Sequence, residues 1–207
     1  MSNTQNRTTK HIVLLGASIG KAWKIDELPV RLADSRYSFE YIGQFSPDKT
    51  QKLTELLNMK ENRPDAVILK ECASFFPGDL QNMQDMIRTW VSMCRSADIT
   101  PILATVAPVV KSYPLRMFVL NLFHGKFVWP SRTFDEIIVF NDWIREYAMN
   151  EGLAVLDLES ALRQNESNRH LKSKFARRDG LHLNALAYRE LDKIVIPTLE
   201  KIEVLAP

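Results

Sequence analysis

Two short stretches, far apart in the chain, carry the residue types that nucleophilic chemistry needs. Near the start, Gly16-Ala17-Ser18-Ile19-Gly20 sets a serine among small residues directly after an apolar run. Near the end, Asp179-Gly180-Leu181-His182 sets a carboxylate three residues before an imidazole. A serine hydroxyl is a poor nucleophile near neutral pH, so it needs a base within hydrogen-bond reach. Histidine supplies one whose pKa lies close to the working pH. A carboxylate on the same turn can accept from the other ring nitrogen and fix the tautomer. Ser18 is therefore the candidate nucleophile, His182 the base and Asp179 its orienting partner. In a tight strand-to-helix turn, the backbone N–H of Ser18 itself could face an oxyanion.

Each stretch alone has an ordinary explanation. As a phosphate loop the first one fails, because Gly16 to Gly20-Lys21 is one residue short and Ala22 replaces the magnesium-binding hydroxyl. A dinucleotide fingerprint fails too, since GxGxxG is absent. The GxSxG pattern of a nucleophile elbow matches literally, but that motif normally follows several strands and here follows the first. A small residue easing a tight turn would explain it equally well. Asp-x-x-His, taken alone, is equally a capping turn with a surface histidine.

The elements around these stretches form an alternating series. His11–Gly16, Tyr37–Ile42, Ala66–Leu69, Pro101–Val106 and Leu153–Leu158 read as strands. Their near-continuous apolar character suits a parallel sheet covered on both faces. Leu80, Met83, Ile87, Trp90, Val91 and Cys94 recur at helical spacing, as do Ile137, Phe140, Ile144, Tyr147 and Ala148. Leu186, Leu191, Ile194, Val195 and Leu199 predict a closing helix that Pro197 must bend or end. The expectation is one α/β domain over residues 1–207, a three-layer α/β/α sandwich on a mostly parallel five-stranded sheet. Sites in such sheets form beyond the carboxyl ends of the strands. Residues 107–133 break the rhythm with aromatics and prolines, and read either as an insertion or lid at the site edge or as a subsidiary helical hairpin.

Composition narrows the partners. Of 207 residues, 45% are hydrophobic and 25% charged, with a net charge of +2, so nothing global points to nucleic acid or to a membrane. Cys72 and Cys94 form no paired CxxC spacing, and no set of side chains shows metal-ligand spacing. No apolar run reaches signal-peptide or spanning length, which predicts a soluble, cytoplasmic protein.

Taken together, the two end motifs resemble those of the GDSL/SGNH hydrolase family. Gly16-Ala17-Ser18 resembles its Gly-Asp-Ser block, with Ala17 at the aspartate, and Asp179–His182 resembles its Asp-x-x-His block. Asn141, Trp143, Ile144, Gly152 and Val155–Leu158 are similar to its penultimate helix and fifth strand. The resemblance implies a flavodoxin-like fold and ester or thioester hydrolysis or acyl transfer, without a cofactor or metal. Its substrate would be a small-molecule or carbohydrate-borne ester. Departures fall on the oxyanion hole, where the family adds a glycine and an asparagine. Pro47, which has no N–H, stands at the glycine, leaving Gly43 as an alternative donor, and Ser74 stands at the asparagine. One lost donor typically costs about 3 kcal/mol of transition-state stabilisation. The alternative is a non-catalytic relative that binds an acylated ligand or a protein partner; a weaker one is a nucleotide-binding domain using the first turn. Lys70 and Glu71 form a local ion pair or line the pocket. His124 is a candidate substrate contact, His11 a surface residue, and Arg169–Arg178 a solvated basic loop or an anion-attracting cluster holding His170.

Overall fold

A computed structural model describes residues 9–43, 49–113, 115, 119, 122–123 and 130–205. Pro47, His124 and much of 107–133 lie outside the described residues. Five strands form one sheet: β1 (Lys10–Gly16), β2 (Tyr37–Gly43), β3 (Ala66–Lys70), β4 (Thr100–Ala104) and β5 (Ala154–Leu156). Their order is β2-β1-β3-β4-β5 and every pairing is parallel. Register aligns Gly16 with Gly43 and Lys70 with Ala104, so the strands end along a common carboxyl edge.

Seven helices are described: α1 (Ser18–Trp23), α2 (Leu28–Leu32), α3 (Thr50–Leu57), α4 (Leu80–Ser96), α5 (Pro130–Glu151), α6 (Leu158–Leu162) and α7 (Ala185–Leu205). Strand alternation distributes them between two layers. Ile12, Leu14, Ile68 and Ile102 pack with Trp23, Leu28, Leu158, Leu191 and Val195. Val13, Leu15, Val67 and Leu103 pack on the opposite face with Leu53, Ile87, Trp90, Phe140 and Ile144. This is the three-layer α/β/α sandwich on a parallel sheet. The edge strand β2 differs from the others: exposed Ser38 and Glu40 alternate with buried Tyr37 and Phe39.

Boundaries differ from the sequence reading at several places: β5 spans Ala154–Leu156 and not Leu153–Leu158, with Leu158 already opening α6. The β4 ladder stops at Ala104, because the next amides find other partners: Thr105 N–H donates to the Leu156 carbonyl at 3.2 Å and Val106 N–H to Asn141 Oδ1 at 2.7 Å. Of the two alternatives at Pro197, bending or ending the helix, the second is excluded, because α7 continues through it to Leu205. Its remaining length, and the burial of Val195 and Leu199, outweigh one missing backbone bond.

Two polar assemblies hold distant parts of the chain together. The buried Asp192 of α7 accepts from the Trp23 indole at 2.7 Å and from Arg31 Nε and Nη2 at 2.9 Å each. Arg31 also donates to the Lys24 carbonyl at 2.9 Å. The first helix and the last are thus joined through one carboxylate. On the other side, Glu159 and Asp157 receive Arg145, and Glu159 and Asp142 receive Arg169. Buried Asn141 completes this assembly, donating to Glu159 Oε2 and to the Val106 carbonyl at 2.9 Å each.

Replacing Asp192 with Ala leaves the Trp23 N–H and the Arg31 guanidinium without their acceptor. We expect about 2–4 kcal/mol lost in urea unfolding; a loss below about 0.5 kcal/mol would contradict the tie. Asp157 gives a pH signature. Burial opposes its charge, yet Arg145 and Ser160 hold its carboxyl down at about 2. A depressed carboxylate stabilises the fold fully above its ordinary value near 3.8 and loses that contribution as pH falls toward 2. Asp157→Asn should therefore lower stability by about 2 kcal/mol at pH 6 and narrow its gap to the wild type toward pH 2. A gap that stays constant from pH 6 to about 2 in acid unfolding would refute this linkage.

Candidate active site

Ser18 is the first residue of α1, two residues beyond the end of β1, and is half-buried. Its turn is braced from the neighbouring strand. Tyr41 of β2 donates its hydroxyl to the Ala17 carbonyl at 3.0 Å. The same ring lies over the first turn of α1: a Cβ on Gly20 would sit 2.5 Å from Tyr41 Cε2. The second glycine of GxSxG therefore makes room for a ring that steadies the serine. Burial, helped by the nearby Cys72, pushes the Tyr41 phenol up, so it remains a neutral donor.

The Asp179–His182 turn is bonded within itself. His182 Nδ1 lies 2.7 Å from Asp179 Oδ2, while Asp179 Oδ1 accepts from the Leu181 and His182 amides at 2.9 and 2.8 Å. Burial works against the charge, but these amides and the ring hold the Asp179 carboxyl below the usual carboxylate range. The Asp179 carboxylate thus engages Nδ1 of the ring, so that Nε2 is the nitrogen not taken by this contact. Gly180 takes a left-handed φ of 77°, and its carbonyl accepts from Val110 N–H at 3.2 Å. No larger residue fits there, since a Cβ would meet Val110 Cγ2 at 2.5 Å. Just beyond, Asn184 caps α7, accepting from the Leu186 and Ala187 amides at 3.0 and 3.2 Å and donating to the Lys174 carbonyl at 2.7 Å.

The histidine turn docks on the segment that leaves the same sheet edge as the serine turn. Val110 follows β4 along a buried path through Val106, Ala107 and Val109, and Leu171 N–H adds a bond to the Val109 carbonyl at 3.0 Å. Buried Tyr113 packs beside Gly180, and its phenol is pushed up by burial together with Cys72 and Asp179. Cys72 follows β3, which lies between β1 and β4. One thiol is therefore within electrostatic reach of both tyrosines, the one bracing Ser18 and the one backing Asp179–His182. No hydrogen bond joins Ser18 to His182 among the described residues. Unliganded sites often have such bonds long, tightening with substrate.

The remaining sequence candidates divide. Gly43 ends β2 opposite Gly16, at the same edge. Ser74 is exposed in a turn, Ala73–Phe75, just past β3, with its hydroxyl 3.1 Å from Cys72 Sγ. Lys70 and Glu71 do not pair side chain to side chain. Buried Glu71 pairs with buried Lys49 at 2.7 Å, and buried Lys70 donates to the Glu71 carbonyl at 2.7 Å. Burial pushes the Glu71 carboxyl up and the Lys70 amine down. The basic stretch 169–178 is solvated only in part: Lys174, Arg177 and Arg178 are exposed, while Arg169 is committed to Glu159 and Asp142, and Lys172 and Lys174 lie over the Phe175 ring. His170 stacks on Phe134 with centroids 3.7 Å apart. His11 is largely covered, its Nδ1 3.1 Å from the Asn62 carbonyl. Sequence reasoning missed Tyr41, Tyr113 and Asn184; of these only Asn184 carried a local signal, as a helix cap.

No protein-family model and no curated protein matches the sequence. Solved structures do match. A GDSL-like lipase from Bacteroides thetaiotaomicron superposes with a TM-score of 0.69 at 18% identity, covering 93% of this chain and 89% of that one. An acylhydrolase candidate from Bacteroides fragilis gives 0.67 at 20%, covering 95% and 88%. The esterase EstA from a Pseudoalteromonas species, in a structure inhibited by monoethylphosphonate, gives 0.63 at 14%, covering 94% and 99%. At these identities the likeness is one of fold, and over nearly its whole length this chain has the fold of the GDSL/SGNH hydrolases.

Proposed function

We propose that the protein is a serine ester hydrolase of SGNH type, acting on a small-molecule or carbohydrate-borne ester. The observation that carries this reading is the Asp179–His182 pair, docked through Gly180 onto the segment that leaves the same sheet edge as Ser18. In the proposed reaction, Ser18 Oγ attacks the acyl carbon as His182 Nε2 takes its proton. His182 then returns that proton to the departing alcohol, leaving an acyl group on Ser18. Water, deprotonated by the same ring, releases the acid and restores the serine. Asp179 holds the ring and stabilises its protonated form. The Ser18 N–H, with Gly43 and the Ser74 hydroxyl as further candidates, would receive the oxyanion. No step calls on a metal or cofactor.

A second reading, a non-catalytic relative that binds an acylated ligand, is favoured by one specific observation. The hydroxyl at the position of the family's asparagine lies 3.1 Å from the Cys72 sulfur, and if it is the donor of that contact its proton is not offered to an oxyanion.

A fluorophosphonate probe should label the wild-type protein once, on Ser18, and Ser18→Ala should be neither labelled nor active on a p-nitrophenyl ester. Asp179→Asn should lower kcat by roughly a hundredfold or more, with the fold retained. Well-folded protein that takes no label and cleaves no acyl ester in a panel would favour the second reading. The Tyr41 brace makes a separate prediction. Gly20→Ala forces the ring aside and should cost about 1–3 kcal/mol of stability as well as lowering kcat. Wild-type melting and turnover in that variant would show that Tyr41 does not brace Ser18.

A further inference from the structure

The histidine turn carries a cation of its own. Ala176 bridges Leu183 in antiparallel register, with Arg177 N–H donating to the His182 carbonyl at 2.8 Å and Asn184 N–H to the Phe175 carbonyl at 2.9 Å. The next pair across is therefore Arg177 and His182, and residues directly opposite one another share a face. Ala176 and Leu183 pack with the core, which turns this second pair away from it. Arg177 is exposed, and no carboxylate pairs with it among the described residues. Residues 107–113 and 170–182 hold one carboxylate, Asp179, against Lys111, Lys172, Lys174, Arg177 and Arg178. Asp179 is itself taken up by His182 and two amides, so the charge left over on these segments is positive.

A buried donor lies beside the same arginine. Tyr188 stands one turn into α7, its N–H donating to the carbonyl of Asn184, the cap that follows the histidine turn. Long helical side chains lean back toward the N-terminus of their helix, which here is the direction of that turn. Tyr188 is only 8% exposed, and its hydroxyl has no hydrogen-bond partner among the described residues. Burial pushes the phenol up to about 12 while the Arg177 charge pulls it down, which places hydroxyl and guanidinium within electrostatic reach of each other. At neutral pH both are donors. A buried donor without an acceptor is costly, and an oxygen-rich anion answers both groups at once, whereas an alkyl chain answers neither. In the proposed reaction His182 hands its proton to the departing alcohol, so a group beside it meets the alcohol half of the ester.

We propose that Arg177 and Tyr188 hold an anionic oxygen group, a carboxylate or a phosphate, on the alcohol half of the substrate. This rests on the hydrolase reading for the ester and narrows it from esters in general to those of alcohols that carry an acid group. The anion site itself is measurable without turnover.

Two measurements test it. Acetate release from acetylated glycerol, glycerate and glycerol phosphate compares one skeleton bearing a hydroxyl, a carboxylate or a phosphate. Wild-type kcat/KM should be about tenfold higher or more for an anionic ester than for the neutral one, the larger gain telling which anion the site takes. Salt at about 0.5 M should shrink that gain, and Arg177→Gln should remove most of it. Tyr188→Phe deletes only the hydroxyl. It should raise KM for the anionic ester roughly threefold to tenfold, without a matching rise for the neutral ester and without lowering the melting temperature; a purely structural hydroxyl would leave that KM where it was. In calorimetric titration, Ser18→Ala, which lacks the proposed nucleophile, should still bind glycerol phosphate or glycerate, and adding Arg177→Gln should weaken binding roughly tenfold. Equal kcat/KM for the three esters, an undiminished preference in Arg177→Gln, or no binding of either anion to Ser18→Ala would each overturn the proposal. Anion binding that depends on Arg177 and Tyr188, in a protein that cleaves no ester, would uphold the site and remove the hydrolase reading alone.

Discussion

One buried carboxylate joins the two ends of this chain. Asp192, on the last helix, accepts from Trp23 at the end of the first helix and from Arg31 just beyond it. Removing either donor would leave a buried charge short of partners, which is far costlier than never having placed it there. That asymmetry fixes the spacing of α1 and α7. Ser18 starts the former and the Asp179–His182 turn immediately precedes the latter, so the contact ties together the two helices next to which the end motifs lie.

A second layer of constraint acts at the sheet edge. Tyr41 grips the Ala17 carbonyl, while Val110 grips the Gly180 carbonyl, and Cys72 lies within electrostatic reach of Tyr41 and Tyr113 alike. Below them, Lys49, Glu71 and Lys70 bring three ionisable groups into the interior at the end of β3. Glu71 satisfies one oxygen on Lys49 and leaves Oε2 with no partner among the described residues. Such an arrangement costs stability relative to apolar packing. It lies where the family's asparagine block would stand, and the divergence in sequence there coincides with this internal ion pair.

The sequence made the strands and the long helices legible because their signals are local and periodic. Val13 and Leu14 are both buried, one on each face, so the run His11–Gly16 reads correctly as a covered strand. The end motifs were legible for the same reason: Asp179 and His182 are three residues apart and bond directly. Long-range pairings were not. Lys49 and Glu71 are 22 residues apart, and no spacing rule connects them. Tyr41 in an edge strand reads as an ordinary half-buried aromatic, and only the fold brings it over Gly20. Asp192 did leave a trace, four residues after Tyr188 and three before Val195, on a helix face that is otherwise buried. Lys70 beside Glu71 invited a neighbour-to-neighbour pair. The Lys70 amine instead reaches the Glu71 backbone carbonyl, and the Glu71 carboxylate takes Lys49.

The central claim is that Ser18 and His182 share a proton across this edge. A crystal structure of the protein after reaction with a phosphonate ester tests it most directly. The account predicts phosphorus bonded to Ser18 Oγ, one phosphonyl oxygen facing the Ser18 N–H, and His182 Nε2 within about 3 Å of the adduct's oxygens. An adduct on another residue, or a His182 ring beyond the reach of any proton transfer to Ser18, would contradict it.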